Sequence, residues 1–131
     1  MGGVKDLIVY QKTFSVSMEI FHITKKFPSD EKYSLISQIR RSSRSVCSNL
    51  AEGYRKRIYP AHFTAKISDA DMENTETQTW LDFSLACEYI LQNDYDNLYS
   101  KTNEIGKLLN HILNNTEKYL TIKQKTEIQK N

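Results

Sequence analysis

Proline occurs at only two places in this chain, Pro28 and Pro60, and glycine at four. Proline stops helices and glycine turns tight corners, so long stretches run without a breaker. A many-turned β fold has no residues here to build its turns, and long helices are what remain. The 131 residues suit one domain with one core.

The spacing predicts four helices. The first runs from about Asp6 to Lys26 and ends at Phe27-Pro28. Ser29 caps the second, with Asp30 and Glu31 against the positive end of its dipole, and this helix extends to about Ile58. Pro60 fits the first turn of a third, reaching about Gln92. Asn93-Asp94 makes a turn and a cap, and a fourth helix runs from about Tyr95 to Leu120. Connections this short force neighbours antiparallel. The expected architecture is all-α: an up-down-up-down antiparallel four-helix bundle over residues 1–120, with a polar tail at 121–131 that frays.

No run of about 18 apolar residues exists, so no membrane span and no membrane partner are expected. The start, Met1-Gly2-Gly3-Val4-Lys5-Asp6, lacks the apolar stretch of a secretion signal, and Asp6 stands where an acylation signal wants Ser or Thr. A cytoplasmic location is the expectation. Cys47 and Cys87, forty residues apart, are then reduced small core residues rather than a disulfide or zinc framework.

Helix faces carry more information than helix existence. On the first helix, Val9, Val16, Ile20, Ile23 and Phe27 form one stripe; Leu7, Tyr10, Phe14, Met18 and Phe21 form a second, with Thr13, Ser17 and Thr24 between. The third helix has Phe63, Ile67, Ala70 and Leu81 on one side and Met72, Phe83 and Ile90 on another. A surface helix of a monomeric bundle needs one apolar stripe. Two stripes call for two partners: the chain's own core and a second copy of the chain. Scattered surface aromatics are the alternative. The fourth helix is simpler, with Leu98, Ile105, Leu109, Ile112 and Leu120 on one face.

The net charge of +2 hides a division. All five arginines, Arg40, Arg41, Arg44, Arg55 and Arg57, lie in the second helix region, and with Lys56 they face a single acid there, Glu52. Residues 67–100 hold eight acids and no Lys or Arg. Arginine suits fixed, bidentate contact with phosphate or carboxylate. Ile36, Ile39, Ser43, Cys47, Leu50 and Tyr54 take the core side; Ser37, Arg41, Arg44, Ser48 and Arg55 share another face. A row of arginines separated by serines can track a phosphate backbone. Alternatively, Arg41 or Arg44 pairs with Glu73 or Glu76 of the third helix, and Asn49 and Glu52 serve as interior hydrogen-bonding groups.

Gln38-Ile39-Arg40-Arg41, Ser45-Val46 and Asn49-Leu50-Ala51-Glu52-Gly53, with Leu7-Ile8-Val9-Tyr10-Gln11-Lys12, Phe27-Pro28 and Glu76-Thr77-Gln78, resemble the signature of a bacterial four-helix-bundle family. Its members are encoded in intervening sequences of large-subunit ribosomal RNA genes. The resemblance covers roughly residues 6–120 and departs at Ala70-Asp71, where the family tends to Gly-Ser, and at Asn74, where it tends to Glu. It makes Gln38, Ser45, Asn49, Glu52 and Gly53 the structural motif. It implies a ring, commonly a pentamer, with a basic surface. The family is similar to the accessory variability determinant of diversity-generating retroelements, which binds nucleic acid and a reverse transcriptase.

No reaction is legible. Glu19 and His22 match half of a di-iron helix motif, but the other half is missing and both fall on the polar sector. His62 and His111 have no partners at ligand spacing, and neither a Gly-rich phosphate loop nor a nucleophile turn is present. No catalytic residue, metal or cofactor is expected. The expected function is a non-enzymatic homo-oligomer, pentameric by the resemblance, binding RNA or DNA through Arg40, Arg41, Arg44, Arg55, Lys56 and Arg57. The alternatives are an adaptor for a reverse transcriptase or other protein, and a structural oligomer whose arginines pair with the acidic third helix.

Overall fold

The computed structural model describes residues 2–120, so the expectation of a frayed tail at 121–131 lies outside the described residues. Four helices account for the fold: α1 (Ile8–Thr24), α2 (Leu35–Arg55), α3 (Pro60–Ala86) and α4 (Gln92–Asn114). Short 3-10 turns at Val4–Asp6, Ser29–Glu31 and Thr116–Lys118 join or flank them. The expected all-α, up-down-up-down bundle is the observed fold.

Contacts at every seam run in opposite directions along the two helices. Thr24 and Thr13 of α1 meet Arg40 and Cys47 of α2. Thr77 and Lys66 of α3 lie against Ser42 and Gly53 of α2. Asp82 and Asn74 of α3 bond Tyr95 and Thr102 of α4. Lys12 and Glu19 of α1 pair with Glu104 and Lys101 of α4. Helices α1 and α3 each pack on α2 and α4, and so stand diagonally across the bundle.

The core is apolar at both ends and polar in the middle. Ile20, Ile39, Leu50, Phe63, Ile67, Leu81, Leu98, Ile105 and Leu109 are fully buried, and their removal from water drives assembly of the helices. Between them lies a layer of small hydroxyl residues. Ser42 and Thr77 share a hydrogen bond of 2.8 Å, Ser17 and Ser43 one of 3.4 Å, and the Cys47 thiol donates to Thr13 Oγ1 at 3.2 Å. Asn74, at a position where the family signature is not followed, is buried and donates to the Thr102 carbonyl at 2.8 Å. A cavity of about 10 Å³ among Thr13, Ser43, Asn74, Thr77 and Thr102 is at the size threshold for one water.

Several helix ends differ from expectation. Ser29 does not cap α2: it opens a 3-10 turn, and α2 starts six residues later at Leu35. The Glu31 carboxylate caps instead, accepting the Ser34 hydroxyl, the Leu35 N–H at 3.4 Å and the Tyr89 hydroxyl at 2.8 Å. Buried Phe27 and Leu35 pin the two ends of this connection. Helix α3 stops at Ala86 rather than Gln92. Tyr89 N–H donates to the Ser84 carbonyl and Glu88 N–H to the Leu85 carbonyl, each at 2.9 Å, with Glu88 left-handed at φ 62°. That is a Schellman ending built without glycine. It turns Ile90 inward, so Ile90 is buried and does not extend the outer stripe of α3. Leu91 rather than Asn93-Asp94 is the cap position of α4, with its N–H held by Asp94 Oδ2 at 3.1 Å. Helix α4 gives way to the Thr116–Lys118 turn before Leu120, which is nevertheless buried. Cys87, past the end of α3, is exposed; Cys47 is half-buried, and burial pushes its thiol pKa up.

Candidate nucleic-acid interface

The five arginines divide by what α2 places opposite them. Arg40 faces the end of α1, where the last carbonyls lack helical partners. Its Nε donates to Thr24 Oγ1 at 2.8 Å and its Nη2 to the Phe21 carbonyl at 3.2 Å, so it ties α2 to that helix end. One residue on, Arg41 points across the α2–α3 seam. Its Nη1 meets Glu73 Oε2 at 3.1 Å and its Nη2 meets Glu76 Oε2. The Arg41 side chain remains 50% exposed, so this fork is a surface clamp rather than a buried ion pair.

Arg44 is exposed and meets no carboxylate among the described residues; its guanidinium lies 5.9 Å from the Phe21 ring centroid. Lys25 and Arg40 approach the same ring at 4.6 and 4.8 Å. Phe21 therefore gathers three cations, favoured by the negative face of an aromatic ring. Arg57 is half-buried: its guanidinium stacks over the Tyr54 ring at 3.7 Å while Nε donates to the Tyr54 carbonyl at 2.9 Å. Arg55 and Lys56 are exposed, and their side chains have no partner among the described residues.

The face read from the sequence is therefore present: Ser37, Arg41, Arg44, Ser48 and Arg55 are all exposed. The motif residues have mixed placements. Gln38 is exposed, and Ser45 is half-buried with its carbonyl accepting Asn49 Nδ2 at 2.9 Å. The expectation that Asn49 and Glu52 are interior groups is corrected. Asn49 satisfies itself on its own helix, and exposed Glu52 stands 3.8 Å from Lys66. Gly53 is buried where α3 packs close on α2: a Cβ there would lie 3.0 Å from Lys66 Cβ and 3.3 Å from Ile67 Cδ1.

Glu19 is engaged by Lys101 at 2.9 Å and Asn97 at 3.2 Å, while His22 is exposed. No group of His, Cys, Asp and Glu among the described residues is arranged to hold a metal ion. None of the described helices is long and apolar enough to cross a membrane. Ile58, Tyr59 and His62, which no sequence motif assigned to the basic face, are exposed at the α2–α3 turn that follows Arg55 and Lys56. The basic run Arg55-Lys56-Arg57, flanked by Tyr54 and Tyr59, was the available signal.

Fold and surface together define an all-α four-helix bundle whose second helix carries a basic face. The chain belongs to the 23S rRNA-intervening sequence protein family, whose model matches residues 5–111. Among solved structures it is similar to a protein of unknown function from the S23 ribosomal protein family of Bacteroides thetaiotaomicron. The two are 29% identical with a TM-score of 0.75, over 82% of this chain and 96% of that one. No curated protein matches it significantly.

Proposed function

We propose that this protein is a non-enzymatic homo-oligomer that binds RNA, or another nucleic acid, through phosphate contacts from α2. The observation that carries this reading is that Arg44, Arg55 and Lys56 stay exposed with no carboxylate partner among the described residues. Arg44 and Arg55 share a face and stand about 16 Å apart along the helix, a span that several phosphates of one strand can occupy. Serine hydroxyls at positions 37 and 48 extend that face. Binding is sequence-tolerant, since phosphate contacts carry no base information.

The oligomer follows from the outer faces of α1 and α3. Phe14 and Met18 are exposed on the first, Met72 and Phe83 on the second. The two patches differ and lie on diagonal helices, so each can serve the other on a neighbouring copy. Such a head-to-tail contact makes a ring where its rotation closes, rather than a two-fold dimer, and five subunits is the number the family resemblance implies. Arg41, held by Glu73 and Glu76, favours a second reading for part of the cluster, in which arginines serve assembly alone.

The test is fluorescence anisotropy of a structured RNA between about 50 and 300 mM salt, with light scattering of the same samples. Wild type binds as an oligomer with affinity falling steeply in salt. Arg44→Ala/Arg55→Ala/Lys56→Ala keeps the oligomer and loses about two to three units of the log–log salt slope. Phe14→Glu breaks the oligomer. An intact oligomer that binds no RNA at low salt would overturn the reading, and a protein partner retained at high salt without nucleic acid would replace it with the adaptor role.

A further inference from the structure

Beside the free cations Arg55 and Lys56, the α2–α3 turn presents an aromatic side chain that the fold does not use. Tyr59 is 56% exposed, and its neighbour Ile58 is exposed as well. Its backbone, by contrast, is fixed. The residue before a proline is confined to extended geometry, and Tyr59, preceding Pro60, has φ −116° and ψ 93°. Its N–H donates to the Lys56 carbonyl at 2.8 Å and its carbonyl accepts the Phe63 N–H at 2.9 Å. His62 meets the ring edge-to-face at 5.9 Å between centroids. A large ring on a rigid turn, held out into solvent, forgoes the burial that usually offsets its exposure cost.

Along the turn itself, from Arg55 to Tyr59, the charges have one sign. Arg55 and Lys56 are free, and Arg57 is pinned over Tyr54 at 3.7 Å. The nearest acid on the helix, Glu52, is turned toward Lys66. Cations that follow a backbone, with an aromatic face on which a base can lie, are the two parts of a single-strand site. A duplex has no base face to offer, because its bases are stacked on one another.

We infer that the α2–α3 turn is a single-strand binding site, in which Tyr59 stacks on an unpaired nucleobase while Arg55 and Lys56 hold the flanking phosphates. This rests on the nucleic-acid reading above and adds to it the class of ligand: unpaired segments such as loops and ends. Stacking is open to any base, so the site discriminates strandedness and not sequence.

The experiment compares a labelled single-stranded RNA of about 12 nucleotides with the duplex of the same sequence, against the full chain at low salt. The variants are Tyr59→Phe, Tyr59→Leu and Arg55→Ala/Lys56→Ala. Wild type prefers the single strand. Tyr59→Phe keeps that preference, and Tyr59→Leu, whose fold is checked by circular dichroism, loses about tenfold on the single strand and little on the duplex. The double variant loses affinity for both. If Tyr59→Leu binds the single strand as wild type does while the double variant does not, stacking is wrong and phosphate binding stands. If wild type binds neither RNA, the nucleic-acid reading itself falls and this inference with it.

Discussion

Arg40 and Arg41 are adjacent in sequence and 100° apart on a helix, and that rotation decides their different fates. One reaches the end of α1, the other the acids of α3. Arg44 and Arg55 return to the outer face with no carboxylate opposite them among the described residues. The sequence made the cluster conspicuous, and a count of residues around the helix placed its exposed face correctly. It could not apportion the charges, because pairing depends on which α3 residues fall at the same height across the seam. A glycine in a helix interior costs up to about 1 kcal/mol, so Gly53 in the sequence is reason to suspect a close approach by a neighbouring helix. Its contacts with Lys66 and Ile67 give that suspicion a geometry. Gly53→Leu should therefore lower stability by about 1–3 kcal/mol through overpacking, read as a shift in the urea midpoint at unchanged slope. A variant as stable as wild type would show that the seam has room.

At the scale of elements, the existence of all four helices was legible and their ends were not. The two prolines marked real boundaries, but the end of α3 carries no glycine, the residue by which such an ending is ordinarily recognised. Glu88 takes the left-handed position instead, at φ 62°. A side chain there costs on the order of 1 kcal/mol that glycine avoids. Glu88→Gly should raise stability by about 0.5–1 kcal/mol in thermal or urea unfolding, and a loss would mean that the carboxylate has a role of its own. Two tyrosines lock the same end of the bundle. Hydrogen bonds to Glu31 and Asp82 push the pKa values of Tyr89 and Tyr95 up from 10 to about 12. The unfolded chain gives up these protons near pH 10 while the folded chain keeps them. Their stabilisation is thus complete below pH 10 and is lost as pH rises toward about 12. Comparing urea midpoints at about pH 9 and pH 11.5, the decline should be shallower in Tyr89→Phe/Tyr95→Phe than in wild type; parallel declines would contradict it. Glu31 has the opposite sign: the Ser34 and Tyr89 hydroxyls hold its pKa below 4.5, so its contribution is present above that value and lost on acidification.

The whole molecule is a bundle whose seams consume part of its charge and leave the rest exposed. Polar hydroxyls fill the middle of the core, apolar side chains close its ends, and Phe14 and Met18 of α1 and Met72 and Phe83 of α3 stay uncovered on diagonal helices. The second stripes that hold these residues were visible in the periodicity; which helices would stand diagonally followed from connection length alone. The central claim is that the arginine segment is divided between holding the fold and meeting nucleic acid. RNA affinity at one low salt concentration, measured for Arg41→Ala beside Arg55→Ala/Lys56→Ala, tests that division most directly. Arg41→Ala should lose about 1 kcal/mol of stability and bind RNA within about twofold of wild type, while the double variant keeps its stability and binds about tenfold or more weakly. Equal losses of affinity in the two proteins, or a greater loss in Arg41→Ala, would contradict the division.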